Sequence, residues 1–184
     1  MHYSAEKMAE FIDLIDRHSP QEGRNYNWSS DFLTYRESEP QCQRPLVYEP
    51  ALVILAQGKK ECHLDGKIYD YSAGNYLSLF LPMPIQVSVI EASPEKPLLM
   101  VGIRVDLIKI ASLLLKMDNS KHSLPKPEQD FNASAIVVEP LNEVLLDAVV
   151  RLMRTLDNPL EQTVLGDSIL EEIYFRLLCN DRSG

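Results

Sequence analysis

The 184-residue chain is poor in the residues from which catalytic and metal sites are usually built, with three cysteines, four histidines and one tryptophan. Cys42, Cys62 and Cys179 are odd in number and widely spaced, which excludes a disulfide framework. Of His2, His18, His63 and His122, only His63 falls in the strand-rich middle of the chain. One imidazole does not make a metal site that needs three or four ligands. No glycine-rich phosphate loop, no Gly-x-Ser-x-Gly and no His-Glu-x-x-His is present. Long apolar runs are missing as well. The longest, Ala51–Ala56, is far short of the roughly 20 residues that a membrane span needs. The first residues, from Met1 to Lys7, contain no apolar stretch that would serve as a secretory signal. A cytoplasmic protein without membrane contact or cofactor is expected. Positive charge is also scarce: 27 acidic residues face 18 basic ones, for a formal net charge of −9. Affinity for phosphate backbones comes largely from lysine and arginine, and the nearest approach to a cluster is Lys59-Lys60. The chain by itself is expected to bind DNA poorly or not at all.

What is present is a clear change of hydrophobic period along the chain. Met8, Phe11, Ile12 and Ile15 share one helical face, with Ser4 as N-cap and His18-Ser19-Pro20 as the stop. Residues 19–30 are polar and aperiodic, so 1–30 reads as a helix and connector. From Phe32 to Val105 the pattern is β: Ala51–Ala56, Tyr76–Leu81, Ile85–Ile90 and Leu98–Val105 have strand length. Asp65-Gly66 is a hairpin-turn dipeptide, and prolines from Pro82 to Pro97 separate strands as loops. Many short strands predict a sandwich or barrel over 31–138. Within it a helix is expected near 106–117, capped by Asp106, and a polar loop around Pro125 and Pro127. Two helices fill 139–184, one starting at Pro140 and one after Asn158-Pro159.

Strand alternation predicts the side chains that face the barrel interior: Cys62, Leu64, Ile68, Leu77, Leu79, Leu81, Ile85, Val87, Val89, Leu99, Val101, Ile103 and Val105. His63 then points outward, and Cys62 reads as a small buried hydrophobe rather than a nucleophile, while Cys42 falls in a polar loop. Such an interior describes either a filled core or a pocket for a largely apolar ligand. Ligand-pocket candidates are Tyr48, Gln57, Cys62, Leu64, Tyr76, Leu79, Val87, Val101 and Ile103, with the polar ones near strand ends. The first of the final helices carries Leu145, Val149, Val150, Leu152, Met153 and Leu156 over more arc than one partner requires. It lies either between barrel and neighbouring helix or against a second subunit. These six are the candidate dimer contacts of a homodimer.

The segment Val47-Tyr-Glu-Pro-Ala-Leu-Val-Ile-Leu-Ala-Gln-Gly-Lys-Lys60 resembles the N-terminal domain of AraC-type bacterial transcription regulators. Asp70-Tyr71-Ser-Ala-Gly74, Tyr76-Leu77, Pro82, the loop from Glu91 to Pro97, and the strand carrying Arg104 and Asp106 extend the likeness. The resemblance implies a mainly β, cupin-like barrel preceded by one helix and followed by a helical pair. It implies a non-enzymatic domain for effector sensing and dimerisation; if the apolar interior is a pocket, the small effector it holds is expected to be largely apolar. DNA contacts would then come from a helix-turn-helix domain expected after residue 184, beyond Asp181-Arg-Ser-Gly184. A stand-alone cupin enzyme or binding protein is the alternative, and the missing histidine cluster weighs against its metal-dependent forms.

Overall fold

The computed structural model describes residues 3–29, 31–119 and 136–180. Helix α1 (Ala5–Arg17) starts where Ser4 Oγ accepts a hydrogen bond from the Lys7 amide, and buries Phe11, Leu14 and Ile15. Nine strands follow: β1 (Gly23–Ser29), β2 (Phe32–Glu37), β3 (Gln41–Tyr48), β4 (Ala51–Gln57), β5 (Lys59–Leu64), β6 (Lys67–Ser72), β7 (Asn75–Leu79), β8 (Met83–Glu91) and β9 (Leu98–Arg104). Then come α2 (Leu107–Asn119), β10 (Ile136–Pro140), α3 (Glu143–Thr155) and α4 (Pro159–Asn180). The loop around Pro125 and Pro127, with His122, lies outside the described residues.

The strands form two antiparallel sheets, one ordered β1-β2-β9-β4-β7-β10 and the other β3-β8-β5-β6. Among the described residues no strand of one sheet pairs with a strand of the other, so the sandwich is open rather than a closed barrel. Two apolar layers hold it together. Between the sheets lie Val53, Leu55, Cys62, Tyr71, Leu77, Leu79, Ile85, Leu98 and Met100, among others. On the outer face of the larger sheet, Phe32, Leu52, Ile54, Leu99, Val101 and Ile103 pack with α1, α3 and α4. The central strands β4 and β9 are therefore buried on both faces, which is why they read as unbroken apolar runs.

That double burial corrects the expected interior. Leu99, Val101 and Ile103 belong to the helix-facing layer, while Leu98 and Met100 face the sandwich interior. Ile68 is exposed, as is Leu81 beyond the end of β7. Val105 lies past the end of β9. For Ile68 the reason is register. The two-residue turn places Asp65 at φ 50° and Gly66 at φ 76°, and it pairs Cys62 with Tyr69 and His63 with Ile68. Directly opposed residues share a face, so the inward Cys62 takes Tyr69 with it and Ile68 follows His63 outward. Two stretches expected as irregular are strands: β1 in the connector and β3, which includes Cys42 in place of a loop. Both are polar edge strands, and edge strands lack the apolar signal that marks central ones.

Helix α3 starts later than Pro140, which ends β10. Asn142 caps it by accepting from the Leu145 amide at 2.8 Å. Asp106 accepts from the Ile108 and Lys109 amides and caps α2. Asn158 accepts from the Leu160 amide, with Pro159 at the first position of α4.

Candidate ligand cavity

At one end the intersheet space is filled. Leu55, Cys62, Tyr71, Leu77, Leu79, Ile85 and Ile136 are all nearly or fully buried there. At the other it opens into a cavity of about 940 Å³. Its walls are β1, β2, β9 and β4 on one side and β3, β8 and β5 on the other. The residues that leave it open are small or polar at positions where a core would carry large apolar side chains. Gly102 of β9 has no side chain and sits against Leu33. From β2, Leu33, Tyr35 and Glu37 alternate inward; from β3, Gln41, Arg44, Leu46 and Tyr48 lie opposite the inward residues of β8. Val53, Val87, Val89 and Met100 add an apolar wall, and Lys60 reaches in from β5.

The polar groups are organised around Glu37. Its carboxylate accepts from the Tyr35 hydroxyl at 3.0 Å, from Arg44 at 3.1 Å and from Gln41 Nε2 at 3.3 Å. Burial, and then the hydrogen bond to Glu37, push the Tyr35 hydroxyl up to about 12. Tyr35 therefore stays a neutral donor at any physiological pH. At the rim Arg104 pairs with Asp31 and Glu49.

Of the residues singled out in the sequence, Tyr48 and Val87 line this cavity, and Ile103 borders it from the helix-facing layer. Val101 is fully buried in that same layer, away from the cavity. Cys62 is buried deeper, 4.0 Å from the Tyr71 hydroxyl, and desolvation pushes its thiol up. That environment disfavours a thiolate nucleophile. Leu64 is partly buried near the hairpin turn. Gln57 donates to the Pro97 carbonyl at 2.8 Å, a loop-fixing bond. The Tyr76 hydroxyl donates to Glu139. Tyr76 and Leu79 instead border a smaller, mostly apolar cavity of about 130 Å³ under α2 and α4. His63 projects outward and contacts Glu61 and Gln43. Among the described residues no group of three His, Cys, Asp or Glu is placed to hold a metal ion.

Sequence reasoning missed Tyr35, Glu37, Arg44 and Lys60. A signal existed for one of them: Lys60, Cys62 and Leu64 share a period of two, so an inward Cys62 implies an inward Lys60.

The α3 side chains proposed for a dimer are not available to one. Leu145, Val149, Val150, Leu152 and Met153 are all at most 1% exposed in the single chain, packed with α1, α4 and the sheet, and Leu156 packs against the same cluster. Val144 at the start of α3 is exposed, and further exposed apolar side chains gather on α2 (Leu107, Ile108, Leu115) and the first half of α4 (Leu160, Val164, Leu165). No helix among the described residues is long and apolar enough to cross a membrane.

Comparison with solved structures finds the same fold in regulators of very different sequence. Apo ToxT from Vibrio cholerae, a lysine-to-alanine variant, matches with a TM-score of 0.52 at 11% identity, over 88% of this chain and 57% of that one. Wild-type ToxT from the same strain, bound to an unsaturated fatty acid, gives 0.50 at 10% identity over 83% and 56%. The AraC-like transcriptional activator CuxR gives 0.50 at 10% identity over 85% and 53%. The chain thus spans little more than half the length of these proteins. No functionally curated protein matches the sequence. Residues 30–184 match the family model described as the AraC-type transcriptional regulator N-terminus, and with that match over most of its length the chain belongs to this family.

Proposed function

We propose that this domain senses a small molecule bound between its two sheets and passes the occupied state to a DNA-binding domain elsewhere in a cytoplasmic regulator. The observation that carries this reading is the cavity of about 940 Å³, with polar side chains at interior strand positions. Its size is in the range of small-molecule sites, and it combines an apolar wall with a few convergent polar groups. A sandwich that only needed stability would fill that space. The reading is non-enzymatic: Cys62 is desolvated, Tyr35 is held neutral, and Glu37 is engaged by three donors. A net charge of −9 suits the domain poorly to a phosphate backbone, and DNA contact falls to the other domain.

A cavity-filling substitution tests the site. Val87→Phe places a ring in the open space while leaving the filled end intact. In a thermal-shift screen of small molecules, wild type should gain several degrees with at least one compound that leaves V87F unmoved. Compounds that shift both equally, with none that discriminates, would contradict the reading.

Self-association belongs to the same proposal, through the exposed apolar side chains of α2 and α4 rather than α3. Ile108 is 80% exposed and Leu160 71%, and large apolar groups of this kind gathered on adjacent helices mark interaction surfaces. Sedimentation of wild type should show a dimer at tens of micromolar. The double change Leu160→Glu and Val164→Glu should give a folded monomer. A wild type that sediments as a monomer at that concentration rules this surface out.

A further inference from the structure

Lys60 is a buried cation at the cavity with no acidic partner among the described residues. The inward parity of β5 turns it into the sandwich, where it is 3% exposed. Its ammonium lies 3.6 Å from the Met100 thioether sulfur and 5.5 Å from the centre of the Tyr35 ring. Neither neutralises a charge. Thioether sulfur is a weak acceptor, and a cation over an aromatic face recovers only part of the hydration it has lost. Among the described residues, no acidic side chain pairs with Lys60. Glu37, which lines the same cavity, is occupied by Tyr35, Gln41 and Arg44. Buried charges are normally paired, because an isolated one is costly. Here the partner is missing in a place that opens onto a ligand-sized space.

Resting on the reading that this cavity holds an effector, we propose that the effector is a small organic carboxylate. Its carboxylate pairs with Lys60, and its apolar body lies against Val53, Val87, Val89 and Met100. A single ammonium matches a single negative charge. Glu22, Asp31, Glu37 and Glu49 line the same cavity together with Arg24, Arg44 and Arg104; Arg44 is taken by Glu37 and Arg104 by Asp31 and Glu49, so Lys60 is the buried cation left to receive a ligand's charge. The Tyr35 hydroxyl is committed to Glu37, so Lys60 is the group that discriminates a carboxylate from its neutral analogue.

Calorimetric titration of the domain with 4-phenylbutyrate and with 4-phenyl-1-butanol isolates that discrimination, because the two differ only in the charged end. Wild type should bind the acid about tenfold to a hundredfold more tightly, the ratio expected when one charge-assisted hydrogen bond is gained. Lys60→Met keeps a chain of similar length in an apolar setting, and in K60M the two compounds should bind alike. The wild-type ratio decides the matter even if K60M does not fold. Alcohol binding as tightly as acid, or an unchanged ratio in a folded K60M, overturns the proposal. So does a failure of both compounds to bind. The effector reading itself is judged separately, by the difference between wild type and V87F.

Discussion

Replacing Val149 and Leu152 together with glutamate will unfold the domain instead of releasing a folded monomer. Both side chains are fully buried in α3, inside the layer shared by α1, α4 and the larger sheet. Removing such groups costs about 2–5 kcal/mol each in lost contacts and cavity. Burying two unpaired carboxylates adds a desolvation penalty on top of that. Whole-domain stability is only about 5–15 kcal/mol, so the sum exceeds what the fold has to lose. Circular dichroism and light scattering check it: loss of helical signal and aggregation are expected. A cooperative thermal transition in a soluble double variant would show that α3 is less enclosed than described.

Gly58→Ala should be strongly destabilising for the addition of a single methyl group. Gly58 sits at φ +89° between β4 and β5, where an added Cβ would lie 2.6 Å from the Glu91 carbonyl oxygen and 3.1 Å from Leu98 Cα. Positive φ alone costs a residue with a side chain roughly 1–2 kcal/mol. The backbone contact adds to it, because neither neighbour is a flexible chain end. Ladder registers shift on both sides, between Leu55 and Gln57 and between Lys59 and Lys60, and this irregularity carries the chain from one sheet to the other. A destabilisation of about 3 kcal/mol is expected, read as a fall in the denaturant midpoint at constant slope. A midpoint within experimental error of wild type would mean that the corner relaxes freely. Gly66→Ala is the control, since its Cβ would meet nothing within 4 Å and the residue shares only the positive φ.

The parts of this fold that were legible in the sequence are those set by local chemistry. Ser4, Asp106 and Asn158 announced helix starts because capping acts within a few residues. Asp65-Gly66 announced its hairpin because both positions need positive φ. What stayed hidden depends on partners distant in sequence. The run Leu98–Val105 cannot reveal which parity faces the other sheet when helices cover the opposite face, so Val101 and Ile103 were assigned to the interior although they pack on helices. Strands β1 and β3 sit at sheet edges, and their polar side chains resembled loop sequence. The α3 stripe was wide for a monomeric reason: α1, α4 and the sheet enclose it. The cavity was harder still, because it depends on which residues of the two sheets come to face each other. The interior posed as filled core or pocket is filled by side chains at one end of the sandwich and open at the other.

The proposed effector site is the space between the two sheets. A crystal structure of the domain with the compound that most stabilises wild type over V87F tests it most directly. Ligand density is expected between β2, β9, β5 and β8, in contact with Tyr35, Val87 and Met100 and within ion-pair distance of Lys60 if the ligand is a carboxylate. Density confined to the smaller cavity under α2 and α4, with the intersheet space collapsed or filled by water alone, would contradict it.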